Sequence, residues 1–175
     1  MAPITFLRMY NITGDKKYLD YMNQEFKWTT DRLYSKEDSL FYRDARFIGK
    51  INEKYSCDEN RHYIMGLSMG AYATWDLLAR HTDMFAAAVA ICGGADTSTA
   101  EKIKDIPIWA AHGTADSVVP CSGSQNMVQA LKDAGSTSIH YTEYEGKPHA
   151  IWNIVAADPE ILNWLFSQVR GTKQS

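Results

Sequence analysis

The chain has 175 residues, 45% of them hydrophobic and 22% charged, which suits one globular domain and is too short for two full ones. A formal net charge of −3 leaves no basic excess to draw it to nucleic-acid phosphates or anionic lipid. The longest apolar run, Met84 to Cys92, falls far short of the roughly 18 residues of a membrane span. Neither nucleic acid nor membrane is therefore an expected partner.

The start, Met1-Ala2-Pro3-Ile4-Thr5-Phe6, lacks the basic residues, long apolar stretch and small-residue cleavage site of a secretory signal, which makes the cytoplasm the default location. Cys57, Cys92 and Cys121 are widely spaced and odd in number, so they read as buried free thiols and not as a disulfide framework or zinc knuckle. No metal-ligand cluster or nucleotide-binding glycine loop stands out, and no cofactor is expected.

Residues 1 to about 46 are helical in period over Ile4 to Ile12 and Lys17 to Leu33, with Thr13-Gly14-Asp15 between them as a helix stop and start. That pattern predicts an α-helical hairpin. From about Tyr55 onward short apolar runs alternate with helical patterns, the signature of parallel strands joined by helices. Arg61 to Gly66 is the first strand candidate, followed by a helix over Ala71 to His81 with Ala71, Trp75 and Leu78 on one face. Phe85 to Cys92 and Pro107 to His112 are the next two strands. A helix over Ser122 to Ala134 ends at Gly135, Ser138 to Tyr144 is the fourth strand, and a helix over Pro159 to Val169 opens on proline. Runs this apolar predict an α/β sheet covered on both faces.

The strongest local signal is Gly66-Leu67-Ser68-Met69-Gly70, a G-x-S-x-G set between a predicted strand and a predicted helix. Such a turn strains the serine backbone and lifts its hydroxyl clear of the sheet, with small glycines letting neighbouring elements pass. The Met69 amide, at the helix start, would face a developing oxyanion. Alone, the motif is often only a glycine-flanked turn, and its companions decide. A serine hydroxyl needs a base within reach, and the base needs an acid to hold its tautomer.

Asp116 follows the third strand in His112-Gly113-Thr114-Ala115-Asp116, and His149 follows the fourth in Gly146-Lys147-Pro148-His149. Ser68, Asp116 and His149 thus appear in hydrolase order at one edge of the sheet. Of the other histidines, His62, His81 and His140 fall where surface or packing roles suffice, while His112, four residues before Asp116, is placed to shape that turn. Asp96, after Cys92-Gly93-Gly94-Ala95, is the alternative acid, though capping the following helix is its simpler task.

The segments Tyr63 to Asp76 and Phe85 to Gly94, together with His112-Gly113, Asp116 and His149 with Trp152, resemble bacterial serine esterases of the feruloyl-esterase and polyhydroxybutyrate-depolymerase-like branch, also labelled predicted peptidases or phospholipase/carboxylesterases. The likeness runs from about Phe47 to Val169. It implies the C-terminal half of an α/β-hydrolase sheet, an esterase activity and an acyl-enzyme mechanism. Lys147-Pro148 departs from the glycine that more often precedes the histidine, implying a stiffer loop. A complete hydrolase of this type supplies four strands before the nucleophile, whereas about 20 matching residues precede Ser68. The resemblance therefore implies an exposed strand edge, open to homodimer formation. It also implies an oxyanion hole lacking its second amide.

Residues 1 to about 46 resemble a different family, the unsaturated rhamnogalacturonyl and glucuronyl hydrolases built as helical barrels, through Met1-Ala2-Pro3, Thr13 to Met22 and Leu40-Phe41-Tyr42-Arg43-Asp44. The catalytic aspartate of that family lies just upstream of the Met-Ala-Pro stretch, so glycosidase chemistry is not expected of these residues. The two resemblances join near Arg46 or Phe47. Together they imply plant cell-wall esters, small or polysaccharide-linked, as the substrate. The rival readings are a catalytically inert hybrid or binding module, and a serine peptidase of the same fold.

Overall fold

The computed structural model describes residues 55–171, together with Lys16, Lys17, Asp20 and two short strands between them. The chain divides into two compact units, Met1–Lys50 and Ile51–Ser175. In the first, β1 (Tyr34–Ser35) and β2 (Leu40–Phe41) pair antiparallel, Tyr34 opposite Phe41. The helical reading did not anticipate this ladder, and the helical hairpin itself lies almost wholly outside the described residues.

The second unit runs β3 (Tyr63–Leu67), α1 (Met69–Arg80), β4 (Ala87–Ile91), a 3₁₀ turn (Thr97–Thr99), α2 (Ala100–Ile103), β5 (Ile108–Gly113), α3 (Ser122–Asp133), β6 (Ile139–Tyr144), α4 (Trp152–Val155) and α5 (Pro159–Ser167). The four strands of this unit lie in the order β3-β4-β5-β6, every neighbouring pair parallel. The strands and longer helices expected of this unit are all present, their ends moved by a residue or two. Parallel pairing also puts every strand's carboxyl end on one edge, where the loops that follow are gathered.

The core explains the alternation. All of β4 and β5 is buried, so both faces of the sheet centre are covered. On one face Ala87, Val89, Ile91, Trp109 and Ala111 pack with Ile151, just before α4, and with Val155, Ile161 and Leu165 from the C-terminal helices. Burying an aliphatic side chain of this size contributes roughly 1.5–3 kcal/mol, and this outweighs any local propensity of the strands. The alternate residues face the other way, where His112 of β5 meets Ser124 of α3. There α3 buries Met127, Val128 and Leu131, while α1 turns Ala71, Trp75 and Leu78 inward.

Helix ends follow local chemistry. Gly135 takes the left-handed conformation (φ 86°), and the amides of Gly135 and Ser136 close back on the carbonyls of Lys132 and Leu131. Asp158 caps α5 through the Glu160 amide, with Pro159 at the first helical position.

Among the described residues β3 and β6 are the outer strands, and β3 exposes Met65 and Leu67. The cysteines depart from the sequence reading: Cys92 is buried, but Cys121 is only partly covered and Cys57 is exposed, because it precedes the first strand of the sheet. No helix among the described residues is long and apolar enough to cross a membrane.

Candidate active site

Ser68 occupies the turn between β3 and α1 with φ 51° and ψ −120°, a conformation that side-chain-bearing residues rarely adopt. Such strain costs about 1–3 kcal/mol and persists only where neighbours enforce it. Here the Ser68 amide donates to the Ile91 carbonyl at 2.7 Å, and the Ser68 carbonyl accepts from the amides of Ala71 and Tyr72 to start α1. Gly66 has no room for a side chain, since a Cβ would lie 2.1 Å from the Gly70 carbonyl oxygen and 2.4 Å from Thr74 Oγ1. Gly70 is different, because a Cβ there would meet nothing within 4 Å. Only the first glycine of the motif is required for close approach.

The Ser68 hydroxyl makes no side-chain cap, and among the described residues it forms no hydrogen bond, to His149 included. Hydrogen bonds of this kind tighten as substrate binds. The Met69 amide stands at the first turn of α1, where helix amides have no partner of their own and favour negative charge.

Asp116 and His149, by contrast, are joined. His149 Nδ1 lies 2.6 Å from Asp116 Oδ2, the carboxylate wholly buried and the imidazole still partly open. A carboxylate only accepts, so Nδ1 carries the hydrogen and Nε2 is left bare as a base. Asp116 Oδ1 takes the amides of Val118 at 2.8 Å and Val119 at 2.9 Å. Burial by itself pushes the Asp116 carboxyl up, but the Val119 amide, His149 and the Val118 amide outweigh it and hold the group at about 2.

The two loops are laced to each other. Ala115 donates its amide to the Lys147 carbonyl at 3.0 Å, Thr114 to that of Tyr144 at 3.1 Å, and Gly146 to Thr114 Oγ1 at 2.8 Å. Gly113 lets them approach, since a Cβ there would lie 2.3 Å from the Lys147 carbonyl oxygen. Trp152 packs edge-on to the His149 ring at 6.2 Å.

Asp96, the alternative acid, is exposed and accepts from the Ser98 amide at 3.0 Å as cap of the 3₁₀ turn. His112 is fully buried and bonds Asp116 Oδ2 and the Val119 carbonyl, both at 3.1 Å, which fits a turn-shaping task. What sequence reasoning missed at Cys92 is its backbone. It has φ 52°, one of two non-glycine residues in this region of backbone space among the described residues, and its Sγ lies 3.5 Å from the His149 carbonyl oxygen.

Cys92, His112 and Asp116 bring ligand atoms within 4.8 Å of one another, but they do not suit a metal. Burial, with the Asp116 charge nearby, pushes the Cys92 thiol up to about 11. His112 Nε2 faces two acceptors and must hold a hydrogen where a ligand needs a lone pair.

A parallel sheet with a strained serine after one strand, and an acid and histidine paired after the last two, defines an α/β-hydrolase. Residues 39–158 match the phospholipase/carboxylesterase family, and the chain belongs to that family. Residues 1–62 match glycosyl hydrolase family 88. The chain is similar to a thermostable esterase of known structure, with 44% identity and a TM-score of 0.69 over 71% of this chain and 35% of that one. It is 28% identical over 90 residues to a bifunctional acetylxylan esterase/xylanase of Neocallimastix patriciarum, covering 51% of this chain and 13% of that protein. An unsaturated 3S-rhamnoglycuronyl hydrolase of Alteromonas sp. (strain LOR) is 47% identical over 48 residues, 27% of this chain and 12% of its own length. The chain thus spans a small part of the curated relatives it matches.

Proposed function

We propose that the chain is a serine carboxylic ester hydrolase in which His149 is the base, Asp116 its orienting acid and Ser68 the nucleophile. The observation that carries the reading is the 2.6 Å contact between His149 Nδ1 and buried Asp116, on the sheet edge where the Ser68 backbone is strained. His149 Nε2 takes the Ser68 proton as Oγ attacks the ester carbonyl carbon, and Asp116 stabilises the imidazolium. The Met69 amide donates to the oxyanion. The imidazolium returns its proton to the departing alkoxide, and His149 then activates water to release the acid from the acyl-enzyme.

Cell-wall polysaccharide esters are the proposed substrate. The acetylxylan esterase and rhamnoglycuronyl hydrolase relatives, both named for polysaccharide substrates, support that class.

The test is hydrolysis of a short aryl ester and of acetylated xylan by the purified chain beside Ser68→Ala. Equal rates for the two proteins would sink the assignment. A second reading, an inert hybrid serving as a binding module, draws support from the Ser68 hydroxyl, which forms no hydrogen bond to His149 among the described residues. It predicts no labelling of Ser68 by a fluorophosphonate, whereas a working base predicts labelling there alone. Cleavage of peptide substrates in place of esters would favour a peptidase.

A further inference from the structure

Asp116 meets a second histidine that the proposed mechanism does not use. The His112 ring is wholly buried, with Nε2 3.1 Å from Asp116 Oδ2 and 3.1 Å from the Val119 carbonyl oxygen. Both neighbours accept only, so a bare Nε2 would set lone pairs against lone pairs, and the hydrogen belongs on Nε2. Nδ1 lies 2.7 Å from Ser124 Oγ and can accept its hydroxyl hydrogen. That hydroxyl is also 3.0 Å from the Gly93 carbonyl oxygen, which Trp75 Nε1 already supplies with a donor at 3.2 Å. Donors and acceptors match along the run His112, Asp116, His149, while the single Ser124 hydroxyl hydrogen serves either Nδ1 or the Gly93 carbonyl.

Asp116 Oδ2 thus receives an N–H from each of two histidines, while Oδ1 receives two backbone amides. We infer that His112 is a positioning residue for ester hydrolysis, its Nε2–H fixing the rotation of the Asp116 carboxylate so that Oδ2 stays aimed at His149. The inference rests on the reading of Ser68, Asp116 and His149 as a triad. Without the His112 N–H the carboxylate is freer to turn away from His149.

The experiment follows the rate of Ser68 labelling by a fluorophosphonate from pH 5 to 9 in the native chain, His112→Leu and His112→Gln, with Ser68→Ala as blank. The glutamine amide reaches about as far as Nε2 and can still donate to Asp116. For His112→Leu the expected result is labelling slowed about 10-fold or more. His112→Gln is expected to recover most of that rate. A native labelling rate in His112→Leu, or a glutamine variant as impaired as leucine at equal folded fraction, would overturn the role.

Should His112→Leu fail to fold, ¹⁵N-histidine spectra of the native chain decide the point. An Nε2–H tautomer whose shifts change in Asp116→Asn supports the role, and an Nδ1–H tautomer overturns it. Absence of Ser68 labelling in the native chain would defeat the triad reading, and the positioning role with it. The spectra would still report the His112 tautomer, which keeps the two failures apart.

Discussion

Asp116 and His149 stand 33 positions apart in the chain and meet at 2.6 Å, because β5 and β6 are parallel neighbours whose following loops leave the same edge of the sheet. The contact has a consequence for acid stability. The Asp116 carboxyl is depressed from 3.8 to about 2, so its contribution is present above its unfolded value and lost as pH falls through the folded one. A shift of that size corresponds to about 2 kcal/mol for this wholly buried side chain. Asp116→Asn is expected to lower stability by about that amount near pH 7 and to flatten its dependence between about pH 4 and 2. Urea titrations across that range check it, and an unchanged slope would count against the pairing.

The glycines of the Ser68 turn are expected to behave unequally. Gly66→Ala drives a Cβ against the Gly70 carbonyl and Thr74, which should destabilise the fold by about 1–3 kcal/mol and disturb Ser68. Gly70→Ala meets open space at the start of α1 and should change stability by about half a kcal/mol at most. Denaturation midpoints of the two variants test this, and equal losses would contradict the geometry.

Gly113→Ala is expected to act on turnover through the histidine loop. Its Cβ would lie 2.3 Å from the Lys147 and 2.6 Å from the Pro148 carbonyl oxygen, so the segment leading into His149 must move. A displacement near 1 Å at a catalytic group lowers turnover by about 100-fold. Aryl ester kinetics with circular dichroism on the same sample separate this effect from unfolding. Native kcat in a folded variant would refute it.

The outer position of β3 predicts association. Its exposed Met65 and Leu67 flank an edge without a paired strand among the described residues, and such edges recruit strands from other chains. Size-exclusion chromatography with light scattering is expected to give a dimer that grows with concentration. A monomer at every concentration would exclude edge pairing.

Much of this was legible in the chain because it is written locally. Alternating apolar runs and helical stripes determined the four parallel strands and the helices between them. Gly66-Leu67-Ser68-Met69-Gly70 marked the turn, and the order of Ser68, Asp116 and His149 assigned each to the end of a strand. The cap formed by Asp96 was legible too, since an Asx cap depends only on residues two positions away.

Tertiary structure alone decided what depends on approach between distant segments. Gly113 is required because Lys147 and Pro148 pass over it, and Gly66 but not Gly70 is required because α1 closes on one side of the turn. Cys92 adopts a left-handed backbone beside the His149 loop, and nothing in its neighbours' identities signals that. Asp116 serves two histidines only because the side chain of β5 residue His112 and the β6 loop converge on a single oxygen. Periodicity reports which face a residue takes, whereas hydrogen-bond partners across a sheet are fixed by register and packing.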